Sequence, residues 1–110
     1  MFKSFQVIGK VQGIMFRQTF IRACLQRNIH AGATNDPSDR NLVTCSVEAS
    51  EDAVIEKLIE DLTNLEKLNS WGAHVESLKV LKDSVAITKH EVTTDNVDNF
   101  NWSPDVEFFL

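Results

Sequence analysis

Two glycines, a glutamine, an aromatic residue and an arginine fall within nine residues, in Gly9-Lys10-Val11-Gln12-Gly13-Ile14-Met15-Phe16-Arg17. The chemistry this combination suits is the binding of an oxyanion. Glycine lets backbone N–H groups turn toward an anion with no Cβ in the way. A helix start leaves its first N–H groups unpaired and adds a favourable dipole. An arginine on the same turn supplies a planar fork of donors matched to phosphate oxygens. On spacing alone the glycines also read as a plain turn, Arg17 as a solvent-exposed helix start, and Gln12 as either a loop brace or a surface residue.

Three common ways of handling phosphate do not fit. A P-loop needs Gly-Lys followed by Ser or Thr, and Lys10 is followed by Val11. A cysteine phosphatase needs a thiolate at the mouth of the anion loop, and neither Cys24 nor Cys45 opens one. An aspartyl-phosphate mechanism needs a strand-end aspartate with acidic neighbours, whereas Asp36 and Asp39 lie in a run of turn formers. What remains is phosphate binding without a protein nucleophile. No histidine has metal-ligand spacing, so no metal and no cofactor is expected, and His30, His74 and His90 are expected at surface or loop positions. The two cysteines match no redox or zinc pattern and read as buried small apolar residues.

The elements that must position the loop are legible from hydrophobic periodicity. Phe5 and Val7 alternate with Gln6 and Lys10 as a half-buried strand that ends at the loop. From Phe16 to Arg27, Phe20, Ile21, Cys24 and Leu25 recur at helical spacing, and Asn28 suits the left-handed end of a helix. A hairpin follows: a weakly marked strand through Ala31-Gly32-Ala33, a turn near residues 36 to 41, and a strand on Val43, Cys45 and Val47. Ser50 reads as the cap of a second helix with Glu51 and Asp52 in its first turn, and Val54, Ile55, Leu58, Ile59, Leu62 and Leu65 form its apolar stripe. Val75, Leu78 and Val80 predict a fourth strand with a register break, since Val75 and Leu78 are three apart. Residues 106 to 110 predict a closing strand, with 81 to 105 as a loose insert before it in which Val85 to Thr93 could pair or stay loose.

The order β-α-β-β-α-β defines an α+β class: a ferredoxin-like sandwich, with two helices over one face of an antiparallel sheet. A length of 110 residues and 43% hydrophobic content suit one domain over residues 1–110. No apolar run suits a signal peptide or a membrane span, so a cytoplasmic protein without membrane partners is expected, and a monomer by default. Net charge is −5, unevenly spread: residues 1–47 hold six basic and two acidic side chains, residues 48–110 five and fourteen. The positive half carries the loop, which favours a small anionic ligand, while overall acidity argues against nucleic acid as a partner. An RNA-binding module of this topology needs aromatics on the central strands, which Val43, Cys45 and Val47 do not supply.

The nine-residue segment resembles the signature of the acylphosphatases, whose pattern reads G-x-V-Q-G-V-x-F-R. Six positions are identical and Ile14 is conservative. A further feature of that family is an asparagine eighteen residues beyond the arginine, and Asn35 stands at that distance from Arg17. The resemblance spans about residues 5 to 80. It implies a metal-independent hydrolase that converts an acyl phosphate to a carboxylate and inorganic phosphate. It implies that the loop from Val11 through Gln12, Gly13, Ile14, Met15 and Phe16, with Arg17, binds the phosphoryl group, and that Asn35 orients the attacking water. Without its separation from Arg17, Asn35 ahead of Asp36-Pro37 reads as a turn starter.

The chain departs from the family where that asparagine is presented. The usual G-L-x-G-W-V-x-N becomes Asn28-Ile29-His30-Ala31-Gly32-Ala33-Thr34-Asn35, so Gly32 stands in place of a large aromatic. Loss of a buried aromatic costs about 3 to 5 kcal/mol if nothing refills the space, and Trp71 and Trp102 are the candidates to refill it. This erosion is what supports the alternative function, a non-catalytic domain that keeps the loop for anion sensing or protein contact.

Overall fold

The computed structural model describes residues 1–100 and 103–110, so the refilling role considered for Trp102 lies outside the described residues. Five strands form one antiparallel sheet: β1 (Phe2–Lys10), β2 (His30–Asn35), β3 (Leu42–Glu48), β4 (His74–Val80) and β5 (Val92–Thr93). Their order is β4-β1-β3-β2-β5. Two helices, α1 (Phe16–Gln26) and α2 (Asp52–Asn64), supply the rest of the core, so the fold is the expected α+β, ferredoxin-like arrangement.

Strand alternation sorts the sheet into two faces. Phe5, Val7, Val43, Cys45 and Val47 are fully buried with Phe20, Ile21, Ile55, Leu58 and Leu62 of the helices. Phe20 lies edge-on to Phe5 and stacked on Phe16, which ties the end of the anion loop to the centre of the core. Leu25 leaves the expected stripe and is exposed, because the buried face of α1 runs through Gln18 and Thr19 instead. The cap of α2 is also shifted: Glu51, not Ser50, holds that position, and it makes no side-chain cap bond. Both cysteines are buried and free, and burial pushes both thiols up, so neither ionises at neutral pH.

The register break expected in the fourth strand is present. Ile8 pairs with Ser77 and Gly9 with Val75, which leaves Glu76 as the extra residue of a bulge. Gly9 is required there. A methyl at Gly9 would come within 2.4 Å of the His74 carbonyl, and its φ of +153° disfavours any side chain. One of the two glycines of the loop motif therefore serves the sheet.

The other face of the sheet explains the departure at Gly32. Ser4, Ser46 and Gly32 lie in register across β1, β3 and β2 on this face. His90, which follows a 3₁₀ turn at Ile87–Lys89, lies over them and is buried. A methyl on Gly32 would lie 2.7 Å from His90 Cβ and 2.8 Å from Cγ and Cδ2. The imidazole thus occupies the space that the sequence leaves empty: His90 lies in a loop, as expected, but is buried rather than at the surface. Its Nε2 lies 2.7 Å from Ser46 Oγ and its Nδ1 2.9 Å from Thr34 Oγ1. Ser46 Oγ also donates to the Val85 carbonyl at 2.6 Å, so the consistent tautomer has Nε2–H donating to Ser46 and Nδ1 accepting from Thr34. Burial pushes the His90 pKa down, in keeping with that neutral form.

Residues 81–100, the greater part of the expected insert, hold two 3₁₀ turns and β5, which pairs with β2. Flanked on both sides, β2 forms despite the low β-propensity of Ala31, Gly32 and Ala33. Residues 106–110 do not close the sheet. They lie against the turn after α2, with a single bridge between Phe108 and Asn69.

Candidate active site

The loop leaves β1 at Lys10 and turns through Gly13, at φ +78°, into Met15, a left-handed residue at φ +63° that occupies the cap position of α1. Met15 has no side-chain oxygen to offer, so no cap closes the first N–H groups of α1. The Met15 carbonyl accepts from Thr19 N at 3.0 Å and from Thr19 Oγ1 at 2.7 Å, which fixes the first turn. The uncapped start of α1, with the positive end of its dipole, therefore stands at the end of the loop.

Two amide side chains brace this loop. Gln12 Nε2 donates to the carbonyls of Asp36, Asp39 and Leu42 at 3.2, 2.9 and 2.8 Å, binding the loop to the hairpin turn that follows Asn35. Asn69, fully buried, donates from Nδ2 to the Ile14 carbonyl at 2.8 Å and to Thr19 Oγ1 at 2.9 Å. Its Oδ1 accepts from the backbone of Trp71 and Ala73, so all four of its hydrogen-bonding positions are filled. Its partners on the loop and on α1 are 55 and 50 residues away, so nothing in the local sequence marks its role.

A cavity of about 260 Å³ opens in front of the loop. Of the residues expected at the site, Val11, Gly13, Met15, Phe16, Arg17 and Asn35 line it. Gln12 and Ile14 do not: Gln12 is taken up by the hairpin turn, and Ile14 packs on the core. Asn35 ends β2 opposite Val43, and its Oδ1 is the one buried side-chain polar atom without a hydrogen-bond partner among the described residues. Arg17 is about one-quarter exposed and forms an ion pair through Nη1 with Glu91, leaving the donors on Nε and Nη2 for other acceptors.

Three lining residues were not anticipated: Gln18, Val92 and Phe100. Gln18 is buried, and its Nε2 donates to the carbonyls of Val97 and Phe100 at 3.2 and 3.3 Å. Beside it, Arg22 pairs with Asp98 at 2.9 Å. These contacts fasten residues 91–100 along α1. Their only signal in the sequence is a glutamine at a position that proves to face inward. Among the described residues no three His, Cys, Asp or Glu side chains converge in a way that would hold a metal ion, and no helix is long and apolar enough to cross a membrane.

Residues 3–97 match the family model described as acylphosphatase. Among solved structures, the chain is similar to the acylphosphatase from Bacillus subtilis: 21% identity, 74% of this chain and 83% of the other, TM-score 0.58. It is also similar to full-length HypF in its phosphate- and nucleotide-bound form, at 19% identity and TM-score 0.54. That match covers 83% of this chain and 11% of HypF. At such identities both likenesses speak for the fold. No curated protein matches the chain.

Proposed function

The chain belongs to the acylphosphatase family, and on that premise we propose that it hydrolyses acyl phosphates to a carboxylate and inorganic phosphate at the cavity beside Arg17. The family and the fold support acyl-phosphate hydrolysis in general. The roles of individual residues are those the family resemblance implies, and their position on one cavity supports them. Loop N–H groups between Val11 and Phe16, together with the free edge of the Arg17 guanidinium, bind the phosphoryl oxygens and stabilise the charge that spreads over them in the transition state. Asn35 accepts a hydrogen bond from the attacking water and points its lone pair at phosphorus. As the water oxygen bonds to phosphorus, the bond from phosphorus to the acyl oxygen breaks and a carboxylate leaves. The water's proton passes to a phosphate oxygen. Because an acyl phosphate already carries a good leaving group, positioning and charge stabilisation suffice, and no protein base is required.

The observation that carries this reading is the buried Asn35 Oδ1. An acceptor held out of solvent without a partner costs about 1 to 3 kcal/mol, and here it belongs to a residue lining the same cavity as Arg17 and the loop. The non-catalytic alternative drew its support from an eroded β2, and His90 supplies the packing that Gly32 lacks.

Steady-state hydrolysis of benzoyl phosphate without added metal tests the proposal. Asn35→Ala is expected to lose about 100- to 1000-fold in kcat, the usual effect of removing one preorganised polar group, and Arg17→Ala to lose both binding and turnover. Equal background rates in the parent and both variants would refute it.

A further inference from the structure

The cavity is larger than the hydrolytic reaction needs. Its 260 Å³ equals the liquid volume of roughly eight or nine waters at about 30 Å³ each. A phosphoryl group, its bridging oxygen and the attacking water bring five oxygens between them. The wall away from the loop is made by Val92 and Phe100, both apolar and both from the segment after β4. That wall is held in place. Val92 pairs with Ala33 in the sheet, and the Phe100 carbonyl is bound by Gln18, a residue of the helix that carries Arg17. The segment that makes this wall carries one sign of charge: residues 91–110 contain Glu91, Asp95, Asp98, Asp105 and Glu107 and no lysine or arginine. Glu91, next to Val92, sets its carboxylate on Arg17 at the cavity.

Resting on the hydrolase reading above, we propose that Val92 and Phe100 form the acyl-binding wall and that the preferred substrates carry an uncharged apolar acyl group, aromatic or branched. With the phosphoryl group on the loop, the acyl group extends into the remaining volume and buries its apolar surface on the two side chains. A short acyl group leaves that surface unused. A second carboxylate on the acyl group meets the carboxylate of Glu91, whose partner Arg17 is shared with the phosphoryl group.

The test measures kcat/KM for benzoyl, acetyl and succinyl phosphate in the parent, Phe100→Ala, Phe100→Leu, Glu91→Gln and Arg17→Ala. Phe100→Ala is expected to lower the benzoyl-to-acetyl ratio about tenfold, as for loss of a hydrophobic pocket contact, chiefly through KM. Phe100→Leu, which keeps an apolar side chain and carries the comparison should the alanine variant not fold, is expected to lower it about threefold. Glu91→Gln is expected to raise the succinyl-to-benzoyl ratio several-fold. A benzoyl-to-acetyl ratio unchanged in both Phe100 variants, with Arg17→Ala inactive on all three substrates, would overturn the acyl wall and leave the hydrolase standing. A parent that turns over none of the three would overturn both.

Discussion

Positions 32 and 90 compete for one space on the far face of the sheet, and substituting them separately and together makes that competition measurable. A methyl on Gly32 would lie 2.7 to 2.8 Å from three carbons of the His90 side chain, Cβ, Cγ and Cδ2, closer than non-bonded carbons approach. The ring cannot simply swing aside, because Ser46 and Thr34 hold its two nitrogens, each bond worth about 1 kcal/mol. Gly32→Ala in the parent therefore carries an overpacking cost of about 1 to 3 kcal/mol. Against this stands a gain of about 0.4 to 1 kcal/mol from the stiffer unfolded chain. With His90→Gly, which removes Cβ, Cγ and Cδ2 together, the obstacle is gone, and Gly32→Ala is expected to be stabilising by about that second amount. The coupling between the two sites should then be about 1 to 3 kcal/mol. Urea unfolding of the four proteins at pH 8, where the imidazole is neutral in both states, measures it. Additivity within about 0.5 kcal/mol would refute the idea that His90 fills the place of the missing aromatic.

The same histidine sets a pH dependence. Because burial lowers the folded-state pKa of His90 below the unfolded value of about 6.5, the unfolded chain binds the extra proton first as pH falls. Its contribution is complete above about pH 6.5 and is lost as pH drops toward the folded value, by at most about 1.4 kcal/mol per pH unit. The urea midpoint of the parent should therefore fall more steeply between pH 8 and 5.5 than that of His90→Gln, and parallel curves would count against a buried neutral imidazole. Asn69→Ala removes four hydrogen bonds from a fully buried position and frees the Ile14 carbonyl. A loss of about 2 to 4 kcal/mol is expected, with slower benzoyl phosphate turnover as the loop loosens; unchanged stability would show that the brace is not needed.

Local pattern carried most of the elements because their periodicities are strong. Phe5 and Val7, Val43 to Val47, and the stripe through Ile55, Leu58 and Leu62 are each a repeat of two or of 3.6, and all three are buried as those repeats require. The bulge in β4 was legible for the same reason, as a phase break between Val75 and Leu78. The closing strand on residues 106–110 failed because an apolar run states that a segment is buried, not which edge it joins. That edge of β2 is taken by Val92 and Thr93, from the stretch 85–93 whose pairing the sequence leaves open, because two paired residues are too few to set a period.

The site divides in a similar way. Its loop and arginine are contiguous, so residue types within nine positions determined both the anion-binding chemistry and the family resemblance. Sequence alone also exposed the gap at Gly32. Tertiary structure decided what fills that gap, which amides brace the loop, and what faces the phosphate end of the cavity. His90, Asn69, Gln18, Glu91 and Phe100 act through partners 44 to 82 residues away, or across a cavity. A hydrogen bond or a packing contact at that separation leaves no periodicity in the chain, because it depends only on where folding brings two otherwise ordinary residues.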